Sequence, residues 1–407
     1  MHSAPVLGVC LTIISLHMAV VVVLFPGGAG ALVRVALFLC ALLGPPVLML
    51  WLPSASRVAR VLALALVGLC ACAAALATSV PHAVMTGGRG SDLTGILAAA
   101  AGCVLVGLAF REAVRGRRTA VKVVFGGLGL FVIVQWLITP AVNVGVITNA
   151  PRPAVPSAAM LGFPGARDVS FPASDGVRLA GWYVPGTNGV AVILLHGAHG
   201  ARTSTLAHVR MLHAAGYDVL AIDARGHGKS AGQTNALGWT GDADIAGAVS
   251  FLERQLGVDR HRIAALGLSM GAEEALRAAA SEVPLGAVVA DGAGTSTLTD
   301  DQLLPHGLGP VFTSVTWLTM RGTELVSGET EPTGLSRLVD RIRVPVLLIA
   351  SNRSGERTID RIYRNRIGPN ASLWYLPDTG HTDGLRTHPA RYAARVDAFL
   401  AGAFRGR

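Results

Sequence analysis

Residues 1–150 hold two acidic side chains, Asp92 and Glu112, against nine arginines and lysines, and are otherwise a succession of apolar runs. The runs cover about 6–25, 31–52, 58–80, 93–110 and 121–139. Each is close to the ~20 residues an α-helix needs to cross a bilayer. None carries a polar face recurring at helical spacing, so a soluble helical bundle does not suit them. The first run lacks a basic start and an Ala-x-Ala site, which sets a cleaved signal peptide behind a membrane span. The expectation is a bundle of about five transmembrane helices over 1–139. No charged residues within the spans mark an ion or substrate path, so a transporter is the least favoured class.

Loop arginines and lysines set orientation. The stretch 111–122, "REAVRGRRTAVK", is the most basic, and 53–60 adds Arg57 and Arg60 on the same side by parity. Both belong in the cytoplasm. With an odd number of spans, everything after the fifth is extracytoplasmic. Residues 140–165, rich in Pro, Ala and small residues, read as a tether.

The rest of the chain is different. It carries 25 basic residues (34−9) and 23 acidic ones (25−2), so the formal net charge of +9 sits mostly in the membrane-like part. That placement argues against nucleic acid as a partner. Cys10, Cys40, Cys70, Cys72 and Cys103 all lie in the apolar runs without metal-ligand spacing to histidine. No metal or organic cofactor is expected.

From 166 to 407 strands and helices alternate. "DVSFPASDGVRLAGWYVP" (168–185) predicts a hairpin turned at Asp175-Gly176. Strand patterns follow at 190–197, 217–223, 262–271, 285–291, 344–350 and 372–377, with helices between them and a last one at 389–403. This predicts an α/β fold with a mostly parallel sheet, whose ligands bind beyond the carboxyl ends of the strands. Residues 293–341 separate two strands by more than an ordinary connection and form a small cap. There Phe312, Val315, Trp317, Leu318 and Met320 recur at roughly helical spacing. They suit packing of the cap on the core, an apolar substrate wall, or a surface that dips into the membrane.

G-x-S-x-G marks a serine on a tight strand-to-helix turn, and it occurs twice: around Ser269 (267–271) and around Ser230 (228–232). A buried-strand pattern precedes Ser269 and an Ala/Glu/Leu helix follows it. Ser230 sits among glycines with no helix after it. Ser269 is therefore the candidate nucleophile and Ser230 a loop residue. His381 follows the last strand in a Gly-containing loop, at the same end of the sheet, which makes it the candidate base.

With "LLHGAHG" (194–200), "YDVLAIDARGHGKS" (217–230), "GLSMG" (267–271) and "GHTDGLRTHP" (380–389) in this order, residues 168–403 resemble the α/β-hydrolase family. The resemblance implies that Ser269 attacks an ester or amide carbonyl and that His381 takes its proton. It also implies that the backbone N–H groups of Met270 and Ala198 hold the oxyanion. His196 and His227 fall in turn motifs of the family pattern and shape loops.

The family's acid usually follows the strand equivalent to 344–350, where this chain shows Arg353 and Ser354 instead of an Asp. Glu356 is the nearest carboxylate and the preferred third member; Asp360, a turn further on, and Asp291, at the end of the preceding strand, remain alternatives. The resulting expectation is a membrane-anchored serine hydrolase acting on a small, fairly apolar acyl substrate. A peptidase of the same fold stays open, as does a non-catalytic sensor or binding protein on a degenerate scaffold.

Overall fold

A computed structural model describes residues 4–24, most of 39–79, 90–150, 152–232, 235–305, 309–353 and 355–405. The chain divides into two compact units, residues 1–149 with 310–329, and residues 150–309 with 330–407.

In the first unit, helices α1 (Ala4–Leu24), α2 (Arg57–Ala77) and α3 (Gly90–Ala113) pack together, and α4 (Thr119–Ile133) leads through a π-helical turn, Val134–Ile138, into α5 (Thr139–Thr148). Among the described residues three helices are long and apolar enough to cross a membrane: Arg57–Ala77, Asp92–Ala113 and Phe125–Thr148. This is fewer than the five spans expected. The described part of the first helix yields only the shorter apolar stretch Pro5–Ala19. Most of the expected second span, 31–52, lies outside the described residues.

The last span also differs from expectation. It runs on to Thr148 instead of stopping at 139. Pro140 has no N–H to donate and crowds the preceding turn, which normally ends a helix. Here the π-helical turn just before it widens the backbone and accommodates the ring. The spans are not free of buried ionisable groups either. His17 and Asp92 are both buried, and His17 Nδ1 lies 3.3 Å from Thr94 Oγ1, joining α1 to α3.

The second unit is built on one sheet. Its strands are β1 (Arg167–Pro172), β2 (Arg178–Val184), β3 (Ala191–Leu195), β4 (Asp218–Asp223), β5 (Ile263–Leu268), β6 (Ala287–Asp291), β7 (Val346–Ser351) and β8 (Ala371–Leu376). The order is β1-β2-β4-β3-β5-β6-β7-β8, with β1–β2 and β2–β4 antiparallel and all later pairs parallel. β3, β4 and β5 are buried at every residue, as strands covered on both faces must be.

Helices supply that cover. α6 (Leu206–Ala214), α7 (Gly241–Leu252) and α8 (Met270–Ala280) precede the insertion that carries α9 (Gly309–Ser327), and α10 (Glu356–Ile367) and α11 (Pro389–Ala403) close the chain. Ile245, Leu252, Ala272, Leu276, Ile359 and Tyr363 bring α7, α8 and α10 onto one sheet face. Val209, Leu212, Val396 and Leu400 bring α6 and α11 onto the other.

Residues 150–165 are not a free tether. Val155 and Ala158 are buried, and Trp182 Nε1 donates to Pro156 O at 3.2 Å.

The expected cap also departs from its reading. Its long helix α9 belongs to the first unit. There Trp136 Nε1 donates to Ser314 Oγ at 2.8 Å, and a Cβ on Gly322 would meet Val144 Cγ2 at 2.6 Å. These contacts are eight residues apart on each helix (314 to 322, 136 to 144), so α9 runs beside the π-turn and α5 in the same direction. Val315, Thr319, Met320 and Thr323 form its buried face, while Trp317 and Leu325 are exposed.

Candidate active site

Ser269 sits between β5 and α8 with φ 55° and ψ −116°, a strained conformation for a residue with a Cβ. The turn exists because its neighbours are small. A Cβ on Gly267 would lie 2.0 Å from Gly271 O, and one on Gly271 would lie 2.6 Å from Leu195 Cβ. The backbone is held from the side by Ser269 N donating to Asp291 O at 2.8 Å. The strain thus presents the hydroxyl beyond the strand ends.

His381 follows β8, and its Nε2 is 2.8 Å from Ser269 Oγ. Its Nδ1 hydrogen-bonds Glu356 Oε1. Glu356 opens α10 and is buried, and its other oxygen accepts from Ser351 N at 2.9 Å and Ser351 Oγ at 2.6 Å. Burial pushes this carboxyl up, but the hydrogen bonds from His381 and Ser351 outweigh it and hold the group below its usual value. Of the three acids weighed in the sequence, the structure brings Glu356 to the imidazole. Asp291 instead accepts from Tyr392 Oη at 2.7 Å. Asp360 is fully buried, and among the described residues neither of its oxygens has a hydrogen-bond partner.

Met270 is the first residue of α8, and Ala198 lies in the loop after β3. Neither backbone amide is taken up by a loop or side-chain hydrogen bond among the described residues. A Cβ on Gly197, the residue before Ala198, would be 3.2 Å from Ser269 Cβ, so this loop runs close to the hydroxyl.

The second G-x-S-x-G has another purpose. Ser230 Oγ donates to Asp223 O at 2.7 Å and accepts from Ala180 N at 2.8 Å, and it is buried. It ties the turn after β4 to β2. His196 and His227 support the same loops. Ala224 N donates to His196 Nε2 at 3.1 Å, so the ring's proton is on Nδ1, facing Gly197 O. Burial lowers His196 to about 4, and burial with the nearby His196 ring lowers His227 to about 3. Both are neutral struts.

Several carboxyls are buried in this unit, and Asp291 and Asp360 among them lie within electrostatic reach of Glu356. Burial raises Asp291 and Glu273 to about 7 each and Glu274 to about 8, and it raises Asp360 well above the ordinary carboxylate value. The sequence reading names Asp291 and Asp360 as alternative acids but misses Glu273, Glu274 and Ser351, because neither a helix Glu nor a strand-end Ser announces its surroundings. Among the described residues, no cluster of His, Cys, Asp or Glu is arranged to hold a metal ion.

A mostly parallel eight-stranded sheet with serine, histidine and carboxylate meeting beyond its strand ends has the architecture of a hydrolase. The chain belongs to the alpha/beta hydrolase family, whose model matches residues 192–395, half of its length. An uncharacterized protein of Mycobacterium tuberculosis strain H37Rv is 38% identical over 138 residues, 33% of this chain. The match spans 48% of that relative, about half its length. YqkD of Bacillus subtilis, also uncharacterized, is 27% identical over 246 residues, 56% of this chain and 77% of that protein. Among solved structures, the Pyrococcus furiosus esterase Pf2001 superposes with a TM-score of 0.52 at 26% identity. That match covers 62% of this chain and 97% of the esterase chain.

Proposed function

We propose that the protein is a membrane-anchored serine esterase that cleaves acyl esters through an acyl-enzyme on Ser269. The observation that carries this reading is the hydrogen-bonded series Ser269–His381–Glu356. In it the Ser269 hydroxyl attacks the ester carbonyl while His381 Nε2 takes the hydroxyl proton. Glu356 stabilises the imidazolium through Nδ1–H. The amides of Met270 and Ala198 receive the negative charge on the carbonyl oxygen. Collapse expels the alcohol, protonated by His381, and a water activated by the same imidazole releases the acid.

The substrate class follows from α9. It interrupts the hydrolase sequence between β6 and β7, yet it packs with the membrane helices. A hydrolase whose sequence contributes a helix to the membrane-like unit suits substrates that partition into lipid, with an apolar acyl group. The similarity to an esterase supports ester over amide cleavage.

Anchoring rests on the three apolar helices. Arg57 Nη2 donates to Glu112 O at 2.6 Å and Arg115 O at 2.9 Å, which gathers the two basic loops at one end of the bundle. If that end is cytoplasmic, the single span Phe125–Thr148 delivers the hydrolase unit outside. The number of spans before it then does not matter.

The test is labelling by a fluorophosphonate in membranes, comparing wild type with Ser269→Ala, Ser230→Ala and Glu356→Gln. The reading requires label on wild type and on Ser230→Ala, none on Ser269→Ala, and slow labelling of Glu356→Gln. A folded wild type that never labels removes it in favour of a binding role.

A further inference from the structure

The edge of the sheet at β8 is bordered by arginines whose charge nothing in the described protein balances. Arg357, Arg361 and Arg364 follow one another at positions i, i+4 and i+7 on the outer face of α10, all exposed, and Arg353 is exposed in the loop before them. On the other side of the same strand Arg391 and Arg395 are exposed on α11. Among the described residues none of these six forms an ion pair. Arg357 stacks over Tyr375 at 4.4 Å and Arg391 over Trp374 at 5.4 Å, which holds the two groups against opposite faces of β8.

The nearby carboxylates are committed elsewhere. Glu356 is bound to His381, Asp360 is buried, Asp378 pairs with His388 at 2.7 Å, and Asp383 pairs with Arg386 at 2.6 Å. The arrangement works against the isolated helix. Like charges at i, i+4 repel, and Arg357 stands in the first turn of α10, where the helix dipole disfavours a cation. Charged side chains can protect an edge strand from pairing, but these arginines lie on the flanking helices and loop and not on β8 itself. An open surface depression of about 510 Å³ lies between Arg361, Arg364, Asn365 and the β8 residues Ser372 and Leu373.

We propose that this arginine-bordered edge is a docking surface for a bilayer rich in anionic lipid, with lipid phosphates held by Arg357, Arg361 and Arg364. The charge complementarity names the partner class. The anchoring of the chain makes the bilayer its permanent neighbour, so the proposal rests on that anchoring and not on catalysis.

The experiment uses the full chain in lipid nanodiscs, neutral or containing anionic phosphatidylglycerol. Arginines are modified with phenylglyoxal and located by mass spectrometry, with exposed Arg254 as reference. Anchoring is checked separately by incorporation into neutral discs, and failure there would remove the anchoring reading itself. Docking predicts that modification of Arg357, Arg361 and Arg364 slows at least about fivefold in anionic discs, the factor expected for each surface arginine. The protection should vanish in ~1 M salt, where charges are screened within about 3 Å. Replacing Arg361 and Arg364 by Gln should expose Arg357 again. Equal rates in both discs would overturn the proposal. So would equal protection of Arg254, or protection in neutral discs by inorganic phosphate alone.

Discussion

Ser351, the last residue of β7, grips Glu356 with both its backbone N–H and its hydroxyl, at 2.9 and 2.6 Å on the same carboxylate oxygen. The other oxygen is left for His381. This grip lets a Glu at the start of a helix stand where a shorter acid in the loop would be expected. The longer side chain is bent back against the strand end and fixed there.

Removing the hydroxyl should loosen the acid without removing it. Ser351→Ala keeps the backbone bond and loses one charge-assisted hydrogen bond, so kcat is expected to fall by about ten- to a hundredfold, the range of ~1.5–3 kcal/mol per such bond. Glu356→Gln keeps shape but cannot stabilise the imidazolium, and it should cost about 10⁴-fold. Steady-state hydrolysis of a p-nitrophenyl ester by the purified protein ranks the two. If Ser351→Ala cost as much as Glu356→Gln, the grip would be doing more than orientation.

The two serines should separate in opposite assays. Ser269→Ala is expected to lose activity on the order of 10⁶-fold while melting close to wild type. Ser230→Ala leaves Asp223 O and Ala180 N without their buried partner. It should lower stability by ~1–3 kcal/mol with activity per folded molecule preserved. Thermal melts in detergent alongside ester hydrolysis would show both. Loss of activity in a fully folded Ser230→Ala would reverse the assignment of the two motifs.

Much of this was readable from residues alone, and the failures have physical causes. The strands and Ser269 were legible because a continuous apolar run, a G-x-S-x-G and a helix-forming stretch follow each other without a gap. Glu356 could be proposed only as the nearest carboxylate, since the chain fold that bends it back depends on Ser351 and on the turn between them. The continuation of the last span past Pro140 was hidden because a π-helical turn leaves no compositional trace. α9 was misplaced for a related reason. Arg321 and Glu324 make it too polar to read as a membrane helix, yet they pair with each other at 2.6 Å and leave its Val315–Thr323 face free to pack.

The contact between Trp136 and Ser314 offers a way to measure how firmly α9 is held. Trp136→Phe and Ser314→Ala each delete the 2.8 Å hydrogen bond. Their effects should not add: a double-mutant cycle is expected to give a coupling of about 0.6–1.7 kcal/mol, the span seen for polar contacts between membrane helices. Unfolding in detergent micelles supplies the four stabilities. Additive losses would mean that the two side chains do not meet.

The buried carboxyls make stability depend on pH in a direction opposite to that of Glu356. Glu274, on α8, is raised to about 8 by burial first and by the charge of Asp244 second, with Asn235 offsetting part of it. An unfolded Glu ionises near ~4.3. Between these values the native state keeps a proton that the unfolded state has lost, so stability falls as pH rises and levels off above about 8. Glu274→Gln removes the titration. Relative to wild type it should gain nothing near pH 4 and gain on the order of a few kcal/mol by pH 8–9. Denaturation at a series of pH values decides it, and a gain that is the same at every pH would show that the carboxyl is ionised in the native protein.

Sidedness can be tested where the structure makes it independent of the span count. The loops around Arg57 and Arg115 meet at one end of the bundle through Glu112 and the Arg115 carbonyl. If Phe125–Thr148 spans the membrane, chain that starts there at α4 emerges at the other end. If the arginine-rich end is cytoplasmic, a C-terminal alkaline phosphatase fusion should be active and a C-terminal green fluorescent protein dark in a bacterial host. Replacing Arg115, Arg117 and Arg118 by Gln should lower phosphatase activity, because the positive charges that hold the loop inside are then reduced. A fluorescent fusion with inactive phosphatase in the unmodified chain would place the hydrolase unit in the cytoplasm, and the basic end would then face outward against the usual charge rule.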